Sequence, residues 1–216
     1  MNMSATERTL LVICVIWTLA LIASGISPYD RVTWFMEVAP VLIAAPIMMV
    51  TRTRLPLTTL VYVLIAIHGL ILIYGGAYTY ARVPLGFWLQ ELLGFERNPY
   101  DRIGHLAQGF VPAMVARELM LRVFRIEGRK TLNFLVISVA MAISAFYELI
   151  EWWAAVVMGG GAEEFLGTQG DVWDTQWDMF MALTGAILAL LALGRWHDRQ
   201  LKNYNTMTTC GRSHNS

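Results

Sequence analysis

The chain has 216 residues, of which 56% are hydrophobic and only 15% are charged, whereas a soluble domain carries about 25% charged residues. Its 16 Lys and Arg balance its 16 Asp and Glu, and this neutral balance gives no sign of nucleic-acid binding. The two cysteines, Cys14 in an apolar run and Cys210 in a polar tail, argue against a disulfide framework.

Six apolar stretches are candidates to cross a membrane, which takes about 20 residues for a helix. In chain order they cover residues 9–26, 34–50, 57–80, 103–121, 132–158 and 179–194, and the fourth is the least apolar. The first has only Arg8 as a basic leader and no small-residue cleavage site before Pro28, so we interpret it as a retained anchor. The predicted fold is all-α, a polytopic bundle of about six transmembrane helices over residues 1–196.

The remaining residues, 197–216, are polar without an apolar period, and we predict a disordered cytoplasmic tail. Lys and Arg decide the orientation, because cytoplasmic loops are enriched in them. Eleven of them fall on the side of the two termini and four on the other. Both termini are therefore predicted inside, and the loops near 27–33, 81–102 and 159–178 outside.

Three of the predicted helices carry polar residues near their outer ends. Asp101 and His105 are four residues apart on the fourth, and Glu148 and Glu151 are three apart on the fifth, so each pair shares a helix face. Acids at i, i+3 and i+7 lead into the sixth. The threading brings these faces to one membrane depth. The predicted cluster contains Asp101, His105, Glu148, Glu151, Asp171, Asp174 and Asp178.

These acids cost free energy near a bilayer unless they are paired, hydrated or protonated. Arg102 is the nearest counter-charge in sequence, and one base does not neutralise them all. Two remedies remain, raised carboxyl pKa values or a bound cation. A divalent metal ion is the candidate cofactor, because carboxylates and imidazole are ligands of such cations. The candidate metal ligands are His105, Glu148, Glu151, Asp174 and Asp178. Candidate acid/base residues are His105, Glu148 and Glu151, and candidate substrate-binding residues are Arg102, Asp171 and Trp152.

Structural roles are open for many of the same residues. Asp101 and Asp171 have the positions of helix N-caps, the two glutamates can bond neighbouring helices, and the tryptophans match an interfacial belt. Arg117 in the fourth span can extend to the inner surface. His68 and Glu37 can likewise serve helix packing, and Glu37 lies near enough to the outer end of the second span to join the cluster.

Three segments resemble signatures of the YjdF family of bacterial inner-membrane proteins. They are YDRIGHLAQGF at 100–110, ELIEWW at 148–153 and GDVWDTQWDM at 170–179. The resemblance implies a multi-pass inner-membrane location and no particular chemistry. A fainter resemblance is to VanZ-like membrane proteins, in which the matching positions are Asp101, His105, Glu148, Asp178 and Gly185.

Three classes of function remain open at this stage. The first is a membrane enzyme that acts on an envelope or lipid-linked substrate at the outer leaflet. The second is a small transporter or a proton- or cation-coupled permease. The third is a non-catalytic binding or assembly protein whose polar cluster fixes helix packing. The lipid bilayer is the expected partner in all three, and the sequence leaves the oligomeric state open.

Overall fold

The structure is a computed structural model that describes residues 5–159 and 167–212, with side chains described for 7–157, 159 and 167–202. The helices of these ranges are α1 (Ala5–Ile26), α2 (Arg31–Thr51), α3 (Thr59–Tyr78), α4 (Pro84–Leu93), α5 (Tyr100–Arg122), α6 (Arg129–Met158) and α7 (Asp174–Arg212). A short 3₁₀ turn, Tyr80–Arg82, joins α3 to α4. The described ranges contain no strand, so the all-α prediction is confirmed.

Five helices are long and apolar enough to cross a membrane, within the residues described. They are the segments Glu7–Ile26, Arg31–Thr51, Thr59–Tyr78, Arg129–Val157 and Asp174–Lys202. The predicted fourth span forms a helix, α5, but its composition does not place it among these five. Composition therefore supports five spans, and α5 requires a separate explanation.

That explanation is the central position of α5, which packs against α3, α6 and α7. Ala113, Met114 and Glu118 on α5 are fully buried, and Arg117 is 6% exposed. A helix enclosed by other helices contacts protein instead of lipid, so it tolerates polar residues that a lipid-facing helix excludes. The low hydrophobicity of α5 follows from this enclosure.

The contact between α5 and α7 is made by backbone against backbone. A Cβ atom added at Gly109 would lie 1.8 Å from the carbonyl oxygen of Ala182, and one at Gly185 would lie 2.1 Å from that of Leu106. Only glycine permits this approach, which is the usual way that membrane helices pack closely. The two helices are thus held at a fixed and short separation.

A second core joins α1, α2 and α3. Trp17 of α1 lies over Gly69 of α3 and donates its indole N–H to the carbonyl of Ala66 at 3.1 Å.

At the start of α2, the carboxylate of Asp30 accepts the N–H of Thr33 at 2.7 Å. The hydrogen bond from Thr33 lowers the pKa of the Asp30 carboxyl, as expected for an N-cap.

The predicted outer loop at 81–102 contains a helix, α4. Pro84 opens it, and Gly94 ends it in the left-handed conformation with φ +69°, as is common for helix ends. Phe87, Trp88 and Leu92 are exposed on its surface. A short helix with exposed aromatic and aliphatic side chains beside a bundle is typical of a helix that lies in the membrane interface.

The last helix is longer than predicted. The sixth span was predicted to end near residue 194 and a disordered tail to begin at 197, but α7 continues to Arg212. His197 is completely buried and Leu201 is only 8% exposed. One face of this polar segment is buried although the sequence is not apolar. The helical bundle therefore extends at least one turn beyond its predicted end at residue 196.

Candidate metal centre

The start of α5, the second half of α6 and the start of α7 meet at one end of the bundle. Six of the seven side chains predicted to form the polar cluster are buried there, namely Asp101, His105, Glu148, Glu151, Asp174 and Asp178. The seventh, Asp171, precedes α7 and is partly exposed. The structure therefore brings buried polar side chains of three helices to one end of the bundle.

His105 lies at the centre of this group. Its Nε2 atom lies 3.6 Å from Oδ1 of Asp101 and 3.8 Å from Oδ2 of Asp178. Its Nδ1 atom lies 3.0 Å from Oε1 of Gln108 and 3.8 Å from Oε1 of Glu148. When Nδ1 donates its proton to the amide oxygen of Gln108, the lone pair of a neutral ring lies on Nε2.

The Nε2 atom faces two carboxylate oxygens at distances longer than a hydrogen bond. One ligand atom each from Asp101, His105 and Asp178 lies within 4.8 Å of the others. Ligands about 2.1 Å from a metal ion are separated by about 3.0 to 3.4 Å at octahedral or tetrahedral angles and by at most about 4.2 Å. A small contraction would therefore place these three atoms around one cation.

Two oxygens of the cluster lack a hydrogen-bond partner within the described residues. They are Oδ1 of Asp178 and Oε1 of Glu148, on side chains that are 1% and 8% exposed. A buried carboxylate oxygen without a partner is costly, and natural proteins leave few of them. Both carboxylates face His105. A positive charge beside His105 would compensate these two oxygens.

Arg97, just before α5, supplies part of the counter-charge, which the sequence interpretation assigned to Arg102. Its guanidinium lies 2.5 Å from Asp174, 3.4 Å from Asp101 and 3.5 Å from Asp171. It also donates to the carbonyls of Gly167 and Thr168. The spacing of Arg97 and Asp101, four residues apart, was a readable signal for this pair. Asp174 is thereby neutralised and is a weaker candidate ligand than Asp178.

The predicted substrate-binding residues are only partly brought together. Arg102 pairs with Asp171 at 2.9 Å and stacks over the ring of Trp177 at 4.9 Å, at the partly exposed rim of the cluster. Trp152 lies away from it, because its side chain is 59% exposed on the outer surface of α6. Its neighbour Glu151 points inward, and adjacent helix positions face different directions. Trp177 occupies the place beside the cluster that was predicted for Trp152.

Residues of α2 and α6 extend the buried group beyond the prediction. Glu37 is buried, and Tyr147 donates its hydroxyl to the carboxylate of Glu37 at 3.3 Å. The ring of Tyr147 packs edge-on against His105, with 6.2 Å between ring centres. Glu37 had been noted as a possible member from its depth, whereas Tyr147 carried no sequence signal apart from its position beside Glu148.

A different polar network occupies the opposite end of α5 and α7. The carboxylate of Glu118 accepts from the backbone and hydroxyl of Thr58 at 2.9 and 2.7 Å, from Arg122 at 2.6 Å and from His197 at 2.9 Å. Arg117 in turn donates to Nδ1 of His197 and to Asp198. Both oxygens of Glu118 are used, so this network has the satisfied character of a structural one.

Comparison with known proteins gives two matches. Residues 9–199 match the family described as "Predicted membrane protein (DUF2238)". The chain is also 57% identical over 191 residues to the inner membrane protein YjdF of Escherichia coli (strain K12), which covers 88% of this chain and 91% of that protein. No solved structure matches the chain. The resemblance seen in the three sequence segments is thus confirmed, and the chain belongs to the DUF2238 family of membrane proteins.

Proposed function

We propose that the protein is a multi-pass inner-membrane protein that binds one divalent cation at the His105 cluster and uses it on an envelope or lipid-linked substrate. The carrying observation is the position of Nε2 of His105, 3.6 and 3.8 Å from two carboxylate oxygens. Those distances are too long for hydrogen bonds and suit ligands that share a cation. The inner-membrane location is supported by the printed name of the relative from E. coli.

The proposed ligands are Asp101, His105 and Asp178, whereas Glu148 lies 3.8 Å from the other ring nitrogen, Nδ1, and is left outside the ligand set. This set adds Asp101 to the predicted ligands and leaves out Glu148, Glu151 and Asp174, the last of which pairs with Arg97. Two carboxylates and one imidazole suit Mn²⁺ or Zn²⁺, because imidazole favours transition metals over Mg²⁺ and Ca²⁺. The Gln108 oxygen would orient the ring from its second nitrogen, as is usual for histidine ligands.

The comparison of the two polar networks argues against a purely structural role for the cluster. At the opposite end, every oxygen of Glu118 has partners and the buried charges are balanced by Arg117 and Arg122. At the His105 end, two buried carboxylate oxygens have none within the described residues. The same helices carry both networks, so the difference lies in the sites themselves and supports a ligand at the unsatisfied one.

The proposed topology has six crossings with both termini in the cytoplasm and α5 as the enclosed sixth helix. Its support is the excess of Lys and Arg at the end of the bundle that holds Glu118. On α5, His105 and Glu118 are 13 residues apart, or about 20 Å at 1.5 Å per residue. The whole of α5 has 23 residues, or about 35 Å, so it is long enough to cross a hydrocarbon core of about 30 Å, with one network in each half.

In this arrangement the cation site lies at the outer interface, where an anionic headgroup of an envelope lipid can reach it. A bound cation would polarise such a substrate and lower the pKa of a bound water. Glu151, buried one turn after Glu148, is placed to accept a proton. Arg102 at the rim would hold an anionic group, in exchange for its present pairing with Asp171.

Cation transport is the second candidate, and one observation favours it. The Nε2 atom of His68, in the middle of α3, is buried without a hydrogen-bond partner among the described residues. An unsatisfied imidazole inside a membrane helix is a common feature of ion and proton paths. Uptake of Mn²⁺ into proteoliposomes, abolished by His68→Ala, would support transport over catalysis.

Cation binding is tested on purified protein by equilibrium dialysis against Mn²⁺ or Zn²⁺ and elemental analysis. The expected result is one ion per chain for wild type, and a loss of at least tenfold in affinity for His105→Gln and for Asp178→Asn. The matched control is Glu118→Gln, which removes a buried carboxylate at the other end of α5 and should leave the stoichiometry unchanged. Equal binding by all four proteins, or by none, would exclude the proposed site.

The enzymatic part of the proposal is tested with the same proteins in nanodiscs that contain a polyprenyl pyrophosphate as probe. Release of inorganic phosphate that requires both the cation and His105 would support it. Stoichiometric binding of the cation without turnover of this probe or of other envelope lipids would leave the cation site standing and remove the catalytic role.

A further inference from the structure

A second site lies at the opposite end of the bundle from His105. A cavity of about 250 Å³ opens between α5, the turn that follows it, the start of α6 and the last part of α7. Its polar wall consists of Arg117, Arg129, Arg195 and Asp198, and its remaining wall is aliphatic, from Leu121, Leu132 and Leu190. The cavity is therefore basic on one side and apolar on the other.

The charges of the polar wall do not cancel. Asp198 is already engaged by Arg117 at 2.6 Å, and Arg117 is held in place by His197 at 2.8 Å. Arg129 and Arg195 are exposed, and the described residues offer neither of them a salt bridge. Two guanidinium groups thus face the cavity with no acid to neutralise them.

The start of α6 adds to the positive potential. Gly128 is its N-cap, and no side chain caps the helix there, so the first backbone N–H groups lack the partner that a Ser or Asp would provide. Gly128 and Arg129 both line the cavity. The N-terminus of a helix favours anions, phosphate above all, and arginine adds bidentate hydrogen bonds to phosphate oxygens.

We propose that this cavity binds the phosphate headgroup of an anionic phospholipid, whose chains lie along the aliphatic wall. The aliphatic wall and the position of the cavity between two candidate membrane spans, Arg129–Val157 and Asp174–Lys202, favour a lipid over a soluble phosphate. Basic pockets between membrane helices are known to hold such headgroups. This site is independent of the His105 cluster, because the two occupy opposite ends of α5 and α7.

The test is native mass spectrometry of the protein released from nanodiscs of phosphatidylcholine with added phosphatidylglycerol. Wild type should retain one phosphatidylglycerol per chain under activation that strips phosphatidylcholine. The double variant Arg129→Gln/Arg195→Gln should bind it on the order of 30-fold more weakly, because each basic residue contributes a factor of roughly five.

The matched control is the double variant Lys130→Gln/Arg199→Gln. It removes the same charge from the residue after Arg129 and from the residue one turn after Arg195, neither of which lines the cavity. Retention should be unchanged in this control. Equal losses in both double variants would show attraction to surface charge alone and would overturn the proposal, as would equal retention of the two lipids by wild type.

A soluble ligand is distinguished by adding glycerol phosphate to wild type in nanodiscs of phosphatidylcholine alone. Weak or absent binding supports the lipid. Binding as tight as that of phosphatidylglycerol, abolished by Arg129→Gln/Arg195→Gln, would overturn the lipid assignment. Both double variants should bind the divalent cation as wild type does, so loss of lipid binding cannot be confused with failure of the His105 site.

Discussion

Arg97 shows how much depends on one side chain outside the helices. It contacts Asp101, Asp171 and Asp174 together and also two backbone carbonyls. Arg97→Gln should lower the free energy of unfolding by about 3 kcal/mol, because it leaves buried carboxylates without their counter-charge. Arg102→Gln, which loses one partly exposed pair, should cost less than about 1 kcal/mol. Denaturation in detergent measures both, and equal losses would contradict this role.

The cation site and the structural network should respond oppositely to loss of a carboxylate. In chelator, Asp178→Asn should raise the thermal midpoint, by an amount equivalent to about 1 kcal/mol, because it removes a poorly compensated buried charge. Glu118→Gln should lower it by about 2 to 4 kcal/mol, because its four donors lose a charged acceptor. Differential scanning fluorimetry of the two proteins decides the point. A loss of stability in Asp178→Asn would indicate that the acid serves packing.

At this scale the sequence allowed His105 and its acids to be predicted, because helix periodicity alone places them on common faces. It did not allow the partners of Arg97 to be ranked, since Asp171 and Asp174 approach it only after α7 packs on α5. The burial of His197 was missed for a related reason. Its sequence neighbours are polar, and a single buried face one turn beyond an apolar run leaves no periodic pattern.

At the scale of elements, the pair α5 and α7 carries the site. Asp101 and His105 come from one helix and Asp178 from the other, so their separation sets the distances around Nε2. Gly109 and Gly185 hold that separation at backbone contact. The low hydrophobicity that made the predicted fourth span the least convincing is a consequence of its central place.

Gly185→Ala should therefore damage both the fold and the site. The new Cβ would lie 2.1 Å from the carbonyl oxygen of Leu106, so the helices must separate at a cost of about 1 to 3 kcal/mol and cation affinity should fall with stability. Gly194→Ala is the control on the same helix, since nothing lies within 4 Å of its Cβ. Melting and cation titration of the two proteins make the comparison. Equal behaviour would show that close packing at Gly185 is unimportant.

The whole molecule is a bundle with an unsatisfied polar network at one end and a satisfied one at the other. Composition was sufficient to predict its class, and the resemblance in three sequence segments was sufficient to predict its family. They were insufficient to count its crossings, because a helix enclosed by protein needs no apolar surface. The proposed count of six crossings and the proposed orientation, which are based on the central position of α5 and on the basic residues, can both be measured.

The number of crossings and the orientation of the chain can be measured by labelling single cysteines in whole cells. In a background with Cys14→Ser and Cys210→Ser, a cysteine at Glu96, in the turn between α4 and α5, should react with a membrane-impermeant maleimide. A cysteine at Glu127, in the turn between α5 and α6, should react only after the membrane is permeabilised. Both positions are exposed, so access decides the result. Reaction of both from outside would mean that α5 does not cross.

The cation site itself is tested most directly by electron spin-echo spectroscopy of the protein loaded with Mn²⁺. The account predicts modulation from one directly bound imidazole nitrogen, absent in His105→Gln and retained in Glu118→Gln. A Mn²⁺ signal without nitrogen modulation in wild type, or the same modulation in wild type and His105→Gln, would contradict a metal centre built on His105.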